Sequence, residues 1–378
     1  MQRTTSLARR ALVTLLAAST LGLAACGDDS GNDDAGADTP GSDAPAGEPI
    51  AADDWEARCA ANEEAGKIVF LTGFQMAASP SIIGAIVADE QGYFEDMCLD
   101  VEIRAGEGST NMALVSSGQA QLSGNSGFSN IAKVRAEGSD VVNVFTVGNT
   151  GLDGVMVMAD SDITEPKDLE GKTIGYKGAP HTSYIAMLAA EGVDRSKITE
   201  VSVGYDPRIL AEGGQLDALM VWVSNEPLTM QREGYDVRVI KNSDYGVVST
   251  FGSIMANGKF AAEHPTAVED FLRAQIKGLE WAEEHPEEAV SFAAARSEVD
   301  YDTVAELARF EAEIGLARES QIEGTGLGWP DPEKVVADLE LAVEVGVLDA
   351  MPDDPGAISN PAFVETIYDG DQLIWPDE

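Results

Sequence analysis

Positive charge is what this 378-residue chain has least of: 24 Lys and Arg stand against 66 Asp and Glu, a net charge of −42. That balance argues against nucleic acid as a partner, because phosphate binding needs clustered Lys and Arg. So much acid instead makes a solvated, self-repelling surface that keeps an exported protein in solution. Histidine is scarce, and His181, His264 and His285 show neither an i, i+4 pair nor an HExxH pattern, so no metal centre is expected. The three cysteines, Cys26, Cys59 and Cys98, form no cluster. Gly106-Glu107-Gly108-Ser109-Thr110-Asn111 half-matches a dinucleotide loop, but its third Gly is missing and Glu107 would repel a pyrophosphate. Gly124-Asn125-Ser126-Gly127 lacks the glycine that a nucleophile elbow needs where Phe128 stands, and reads as a binding loop.

The apolar run Ala11 to Leu23 is too short for a confident membrane span and follows Arg3, Arg9 and Arg10, as in a targeting segment. It ends in Leu23-Ala24-Ala25-Cys26-Gly27, which resembles the lipobox of bacterial lipoproteins. The resemblance implies a signal peptide over 1–25, cut before Cys26, whose sulfur carries lipid. Residues 26–64, rich in Asp, Gly and Ala, then read as a flexible acidic tether. The expected location is the outer face of the cytoplasmic membrane, the lipid at Cys26 being the anchor. In that oxidising compartment Cys59 and Cys98 are either paired in a disulfide or two buried thiols.

The stretch Lys67 to Arg104 organises the rest. Ile68-Val69-Phe70-Leu71 suits a buried parallel strand. After a turn, Ser79 can cap a helix with Pro80 in its first position, and Gly92 can supply its left-handed end. Leu99 to Ile103 alternates as a second strand, completing a βαβ unit. Ligands of such open sheets bind outside the carboxyl ends of the strands. The β–α pattern restarts near Asp162, marking a second domain, and from Lys259 the chain is almost all helical, with Glu-His-Pro breaks at 263–265 and 284–286. Residues 346–378 show too little periodicity to assign.

Four stretches together resemble one family. They are Gly92-Tyr93-Phe94-Glu95 with Leu99 to Ile103, Asp168-Leu169-Glu170-Gly171-Lys172 with Thr173-Ile174-Gly175, Gly213 to Asp217 with Val223 to Pro227, and Phe271 to Ala274 with Glu284 to Ala289. They are similar to the substrate-binding proteins of ABC importers, in the branch handling thiamine pyrimidine precursors, riboflavin, aliphatic sulfonates, taurine and nitrate. The resemblance implies an α/β, two-lobed periplasmic-binding-protein-like type II fold, with mixed sheets flanked by helices and two interlobe crossings. Lobe one is expected over 65–158 and 253–345, carrying the C-terminal helices, and lobe two over 159–252, with 346–378 a tail.

It also implies ligand contacts at Phe74, Gln75, Met76, Ser79, Asn125, Ser126 and Phe128 on lobe one. On lobe two the contacts implied are His181, Thr182, Tyr184, Trp222, Asn225, Glu226 and Tyr245. The aromatic rings suit stacking on a flat ring, and Asn225 and Glu226 suit ring amino groups. The function implied is capture of a planar heterocycle, a thiamine pyrimidine precursor or a riboflavin-like flavin, by lobe closure, with a sulfonate, taurine or nitrate as the alternative. Delivery would be to permease subunits with a cytoplasmic ATPase, by a monomer with no cofactor and no catalytic residue. The same fold hosts a pyrimidine synthase that uses a reactive His, a Lys-bound pyridoxal phosphate and a Cys-rich motif; here the Cys cluster is absent and only His181 falls in a plausible site. A surface adhesin with no small-molecule ligand is the remaining rival.

Overall fold

The computed structural model describes residues 49–124, 127–178 and 180–376. The expected signal peptide, Cys26 and most of the expected tether lie outside the described residues, as do Asn125 and Ser126.

Ten strands make two sheets of five. In chain order they are β1 (Lys67–Leu71), β2 (Asp100–Arg104), β3 (Leu122–Gly124), β4 (Val141–Gly148), β5 (Asp153–Met158), β6 (Thr173–Tyr176), β7 (Thr199–Ser202), β8 (Ala218–Trp222), β9 (Val237–Lys241) and β10 (Phe251–Asn257). The first sheet runs β2-β1-β3-β10-β4 and the second β7-β6-β8-β5-β9. β1 lies parallel to β2 and β3, and β10 enters antiparallel between β3 and β4. In the second sheet β6 is parallel to its neighbours and β5 is antiparallel to β8 and β9. Each sheet has thus received one antiparallel strand from across the molecule, and the chain crosses between the lobes at 149–152 and again just before β10.

Ile68 to Leu71 are buried, as a parallel strand covered on both faces requires. Pro80 opens helix Pro80–Glu90 and Gly92 takes φ +78°, the left-handed value expected of it. This helix crosses helix Pro265–Glu284 at two glycines. A Cβ on Gly84 would stand 2.7 Å from the Gln275 carbonyl oxygen, and one on Gly278 would stand 2.2 Å from that of Gly84, so only glycine permits this approach. Phe271 from the long helix packs on Phe70 and Phe94, each with ring centroids 5.2 Å away, and centres the core of lobe one.

Three boundaries differ from the sequence reading. β5, expected at the end of lobe one, pairs with β8 and β9 and belongs to the second sheet; an extended run carries no mark of which sheet will accept it. Residues Trp55–Ala65, expected as tether, form a helix. Its acid faces water, while Arg58 and Asn62 are buried against Asp270, with contacts of 2.8 and 2.7 Å, and Cys59 is bonded to Cys98 across a Cα–Cα distance of 5.2 Å. Residues 346–376 are not a free tail. Ile358, Phe363, Val364 and Ile367 are buried, and Tyr93 meets Trp375 edge-on.

Candidate functional site

A cavity of about 130 Å³ lies between the lobes where the two crossings meet. On lobe one it is walled by Phe74 and Ser79, from the turn between β1 and helix Pro80–Glu90, and by Phe251 and Gly252 of β10. On lobe two the wall is Asp153, which opens β5, with Trp222, Ser224 and Asn225 at the end of β8. Helix Thr303–Glu319 closes the cavity with Arg309 and Glu313. All three sources are strand ends or one helix face, so the scaffold fixes their positions.

Several of the charged groups here are held by neighbouring side chains. Arg309 lies 2.9 Å from Glu306 on its own helix and 5.9 Å over the Phe74 ring. Glu306 also accepts the Ala78 N–H at 2.8 Å, tying the helix to the β1 turn. Asp153 has His181 Nδ1 at 2.8 Å, an ion-pair distance off the line of a good hydrogen bond, and accepts the Ser183 hydroxyl at 2.8 Å. His181 is nearly parallel to Trp222, at 15° with centroids 6.0 Å apart.

Glu226 is almost wholly buried and forms an ion pair with Lys177, and its other oxygen accepts the Trp222 N–H at 2.9 Å. Lys177 Nζ in turn sits 5.1 Å from the Trp222 ring centre. The carboxyl of Glu313 differs from these. It is fully enclosed with no salt bridge, accepting hydroxyls from Ser79 at 2.7 Å and Ser224 at 2.8 Å, and burial raises its pKa.

Of the residues expected to touch ligand, Phe74, Ser79, Trp222 and Asn225 line the cavity, and His181 stands behind Trp222. Asn125 and Ser126 lie outside the described residues, and the remaining expected residues sit away from the cavity. Gln75 is exposed to solvent, and Met76 is buried beside Ile82 and Ile86. Phe128 and Tyr184, each 1% exposed, are core residues of their lobes. Thr182 starts helix Thr182–Ala190 without lining the cavity, and Tyr245 packs on the second lobe's core. Glu226 is spent on Lys177 and a backbone amide, and so does not offer an acceptor to the cavity. Ser79 occupies the helix cap position, yet its hydroxyl donates to Glu313 and makes no capping bond. The sequence reading missed Asp153, Ser224, Arg309 and Glu313. Their one sequence signal is weak: Arg309 and Glu313 are four apart on a helix, a spacing that also serves a solvated face.

A family model described as NMT1/THI5 like matches residues 79–289. The chain is 31% identical over 210 residues to a formylaminopyrimidine-binding protein of Halalkalibacterium halodurans, covering 54% of this chain and 63% of that protein. It is 25% identical over 236 residues to the riboflavin-binding protein RibY of Chloroflexus aurantiacus, covering 60% of this chain and 66% of the relative. The chain therefore spans slightly under two thirds of these relatives. In fold it resembles the periplasmic aliphatic sulphonate binding protein SsuA from Escherichia coli, with a TM-score of 0.60 at 16% identity, over 82% of this chain and 96% of that one.

Proposed function

The chain belongs to the NMT1/THI5-like family, and on that premise we propose that it is the extracytoplasmic solute-binding component of an ABC importer. It captures a small, uncharged, planar nitrogen heterocycle of the thiamine-pyrimidine-precursor class between its lobes and delivers it to a permease. The formylaminopyrimidine-binding relative supports this reading of the ligand.

One observation carries it: an aromatic-walled cavity of about 130 Å³ in which the cationic side chain of the wall, Arg309, is already held 2.9 Å from Glu306. A site without a spare positive charge favours a neutral ring over an anion, because an anion would be desolvated without compensation. Its size favours a single ring over a three-ring flavin, since pockets for larger ligands run to about 300–1,000 Å³. Asn225 on the wall supplies both a donor and an acceptor for ring nitrogens and amino groups.

The sulfonate, taurine or nitrate reading has one observation in its favour, the guanidinium of Arg309 in the cavity wall. Glu306 at 2.9 Å offsets it. For the synthase reading, no lysine lines the cavity among the described residues, and the ammonium of Lys177, beside Trp222, is paired with Glu226. We read the protein as a binder without catalytic residues, anchored through lipid on Cys26 and working as a monomer.

Titrating two uncharged pyrimidines, 4-amino-5-hydroxymethyl-2-methylpyrimidine and 4-amino-5-(formylaminomethyl)-2-methylpyrimidine, against tryptophan emission tests the proposal. The reading expects saturable quenching that is lost in Trp222→Phe. Unchanged emission, with taurine or nitrate producing the change instead, would overturn it.

A further inference from the structure

Glu313 is enclosed between the lobes, and its two oxygens face opposite sides of the cleft. Oε2 accepts the hydroxyl of Ser79, on lobe one, at 2.7 Å, and Oε1 accepts that of Ser224, on lobe two, at 2.8 Å. This site is complete only when the lobes are together. Parting them removes at least one hydroxyl and admits water to the carboxyl. We propose that Glu313 is the positioning residue that sets how readily the two lobes shut, and that shutting takes up a proton from solvent at its carboxyl.

The surroundings support a proton rather than a counter-ion as what compensates this group. Of the charged groups near it on its own helix, Arg309 favours the charged form of Glu313 but is itself paired with Glu306 at 2.9 Å, and Glu306 opposes it; burial outweighs both. From lobe two, Asp153 is held by His181 and Glu226 by Lys177. From the β1 turn only the Ser79 hydroxyl reaches Glu313, with no ionisable group. The exposed link between Arg232 and Asp302, at 3.7 Å, joins the lobes without touching Glu313. Burial raises the pKa of Glu313 in this closed arrangement, whereas the open cleft leaves it hydrated. A protonated carboxyl keeps every partner, since each serine hydroxyl can accept as well as donate.

The sign follows from linkage. As pH rises above the ordinary glutamate range, the open state releases its proton before the closed one does. The closed-to-open ratio then falls, by up to about tenfold per pH unit between the two pKa values. This inference deepens the binding-protein reading and rests on it only for the purpose that closure serves.

The test therefore uses no ligand. In the full chain with Cys26→Ser, spin labels at Lys133→Cys on lobe one and Glu191→Cys on lobe two, both exposed positions, report interlobe distance by double electron–electron resonance. The expected result is a short-distance population that grows as pH falls from 8 to 5. Glu313→Gln, a neutral mimic of the protonated group, should hold that population constant across the range, and Ser224→Ala should lower it at every pH. A distance distribution indifferent to pH in the parent protein would overturn the proposal. So would an unaltered pH course in Glu313→Gln, which would assign the effect to general relief of the acidic surface, or an unchanged population in Ser224→Ala. Should ligand titrations fail while this pH course holds, the ligand assignment alone falls.

Discussion

His181 lies 15° from parallel to Trp222 with ring centroids 6.0 Å apart, so the two rings stack on the lobe-two side of the cleft. Trp222 is 41% exposed, high for a tryptophan held by a partner ring, a cation and a backbone hydrogen bond. Its open face is a surface that a planar ligand would cover.

Trp222→Ala should therefore weaken ligand binding by about 1.5 kcal/mol, roughly tenfold in affinity, while Trp222→Phe keeps most of it. Calorimetric titration of the three proteins checks this. Equal affinities would place the ligand elsewhere.

Glu226→Gln tests a different role, because this carboxylate is committed to Lys177 and the Trp222 amide. It leaves a buried ammonium without its partner, at an expected cost of about 3–5 kcal/mol in stability. Lys177→Met combined with Glu226→Met should recover much of that loss. Denaturant midpoints of the single and double variants measure it; a single variant as stable as the parent would contradict a structural ion pair.

Asp338, on helix Pro332–Glu344, has its pKa pushed up by burial to about 6, against the pull of the Ser129 backbone N–H. Between the ordinary aspartate value and about 6, the folded chain keeps a proton that the unfolded chain has released. This group's contribution to stability is therefore present in full below that window and lost as pH rises through it. Asp338→Asn should raise stability at pH 7 by about 1–2 kcal/mol, allowing for partial exposure, and leave it little changed at pH 4. Denaturant titrations at the two pH values test the difference.

The Cys59–Cys98 bond spans 39 residues and fastens helix Trp55–Ala65 to the turn before β2. Neither sulfur should alkylate without reductant, and intact mass should rise by two alkyl groups after reduction. Replacing both with Ser should lower stability by about 2–4 kcal/mol. Alkylation of both thiols before reduction would contradict the pairing.

The parts of this molecule legible in the sequence are those whose partners lie nearby in the chain. The β1–helix–β2 unit follows from an apolar run, Pro80 at a helix start and Gly92 at its end. Phe74, Ser79 and Trp222 follow from the rule that ligands meet strand ends. Partnership across the chain was not legible. β5 reads as extended in either lobe, and only its register with β8 and β9 assigns it. Helix Trp55–Ala65 was hidden by its acid, because the residues that fix it, Arg58 and Cys59, meet partners far along the chain or out of view of any periodicity. Phe128 and Tyr184 follow the expected turns, but their rings face the sheets. Arg309 and Glu313 reach the cleft from a helix whose charged face looks, in sequence, like one bathed in water.

Calorimetric titration of the full chain with 4-amino-5-hydroxymethyl-2-methylpyrimidine, 4-amino-5-(formylaminomethyl)-2-methylpyrimidine, riboflavin, taurine and nitrate tests the central claim most directly. The account predicts one-site binding of a pyrimidine at micromolar Kd or tighter, with negligible heat from taurine and nitrate. Silence across all five, or tight binding of taurine or nitrate with none of either pyrimidine, would contradict it.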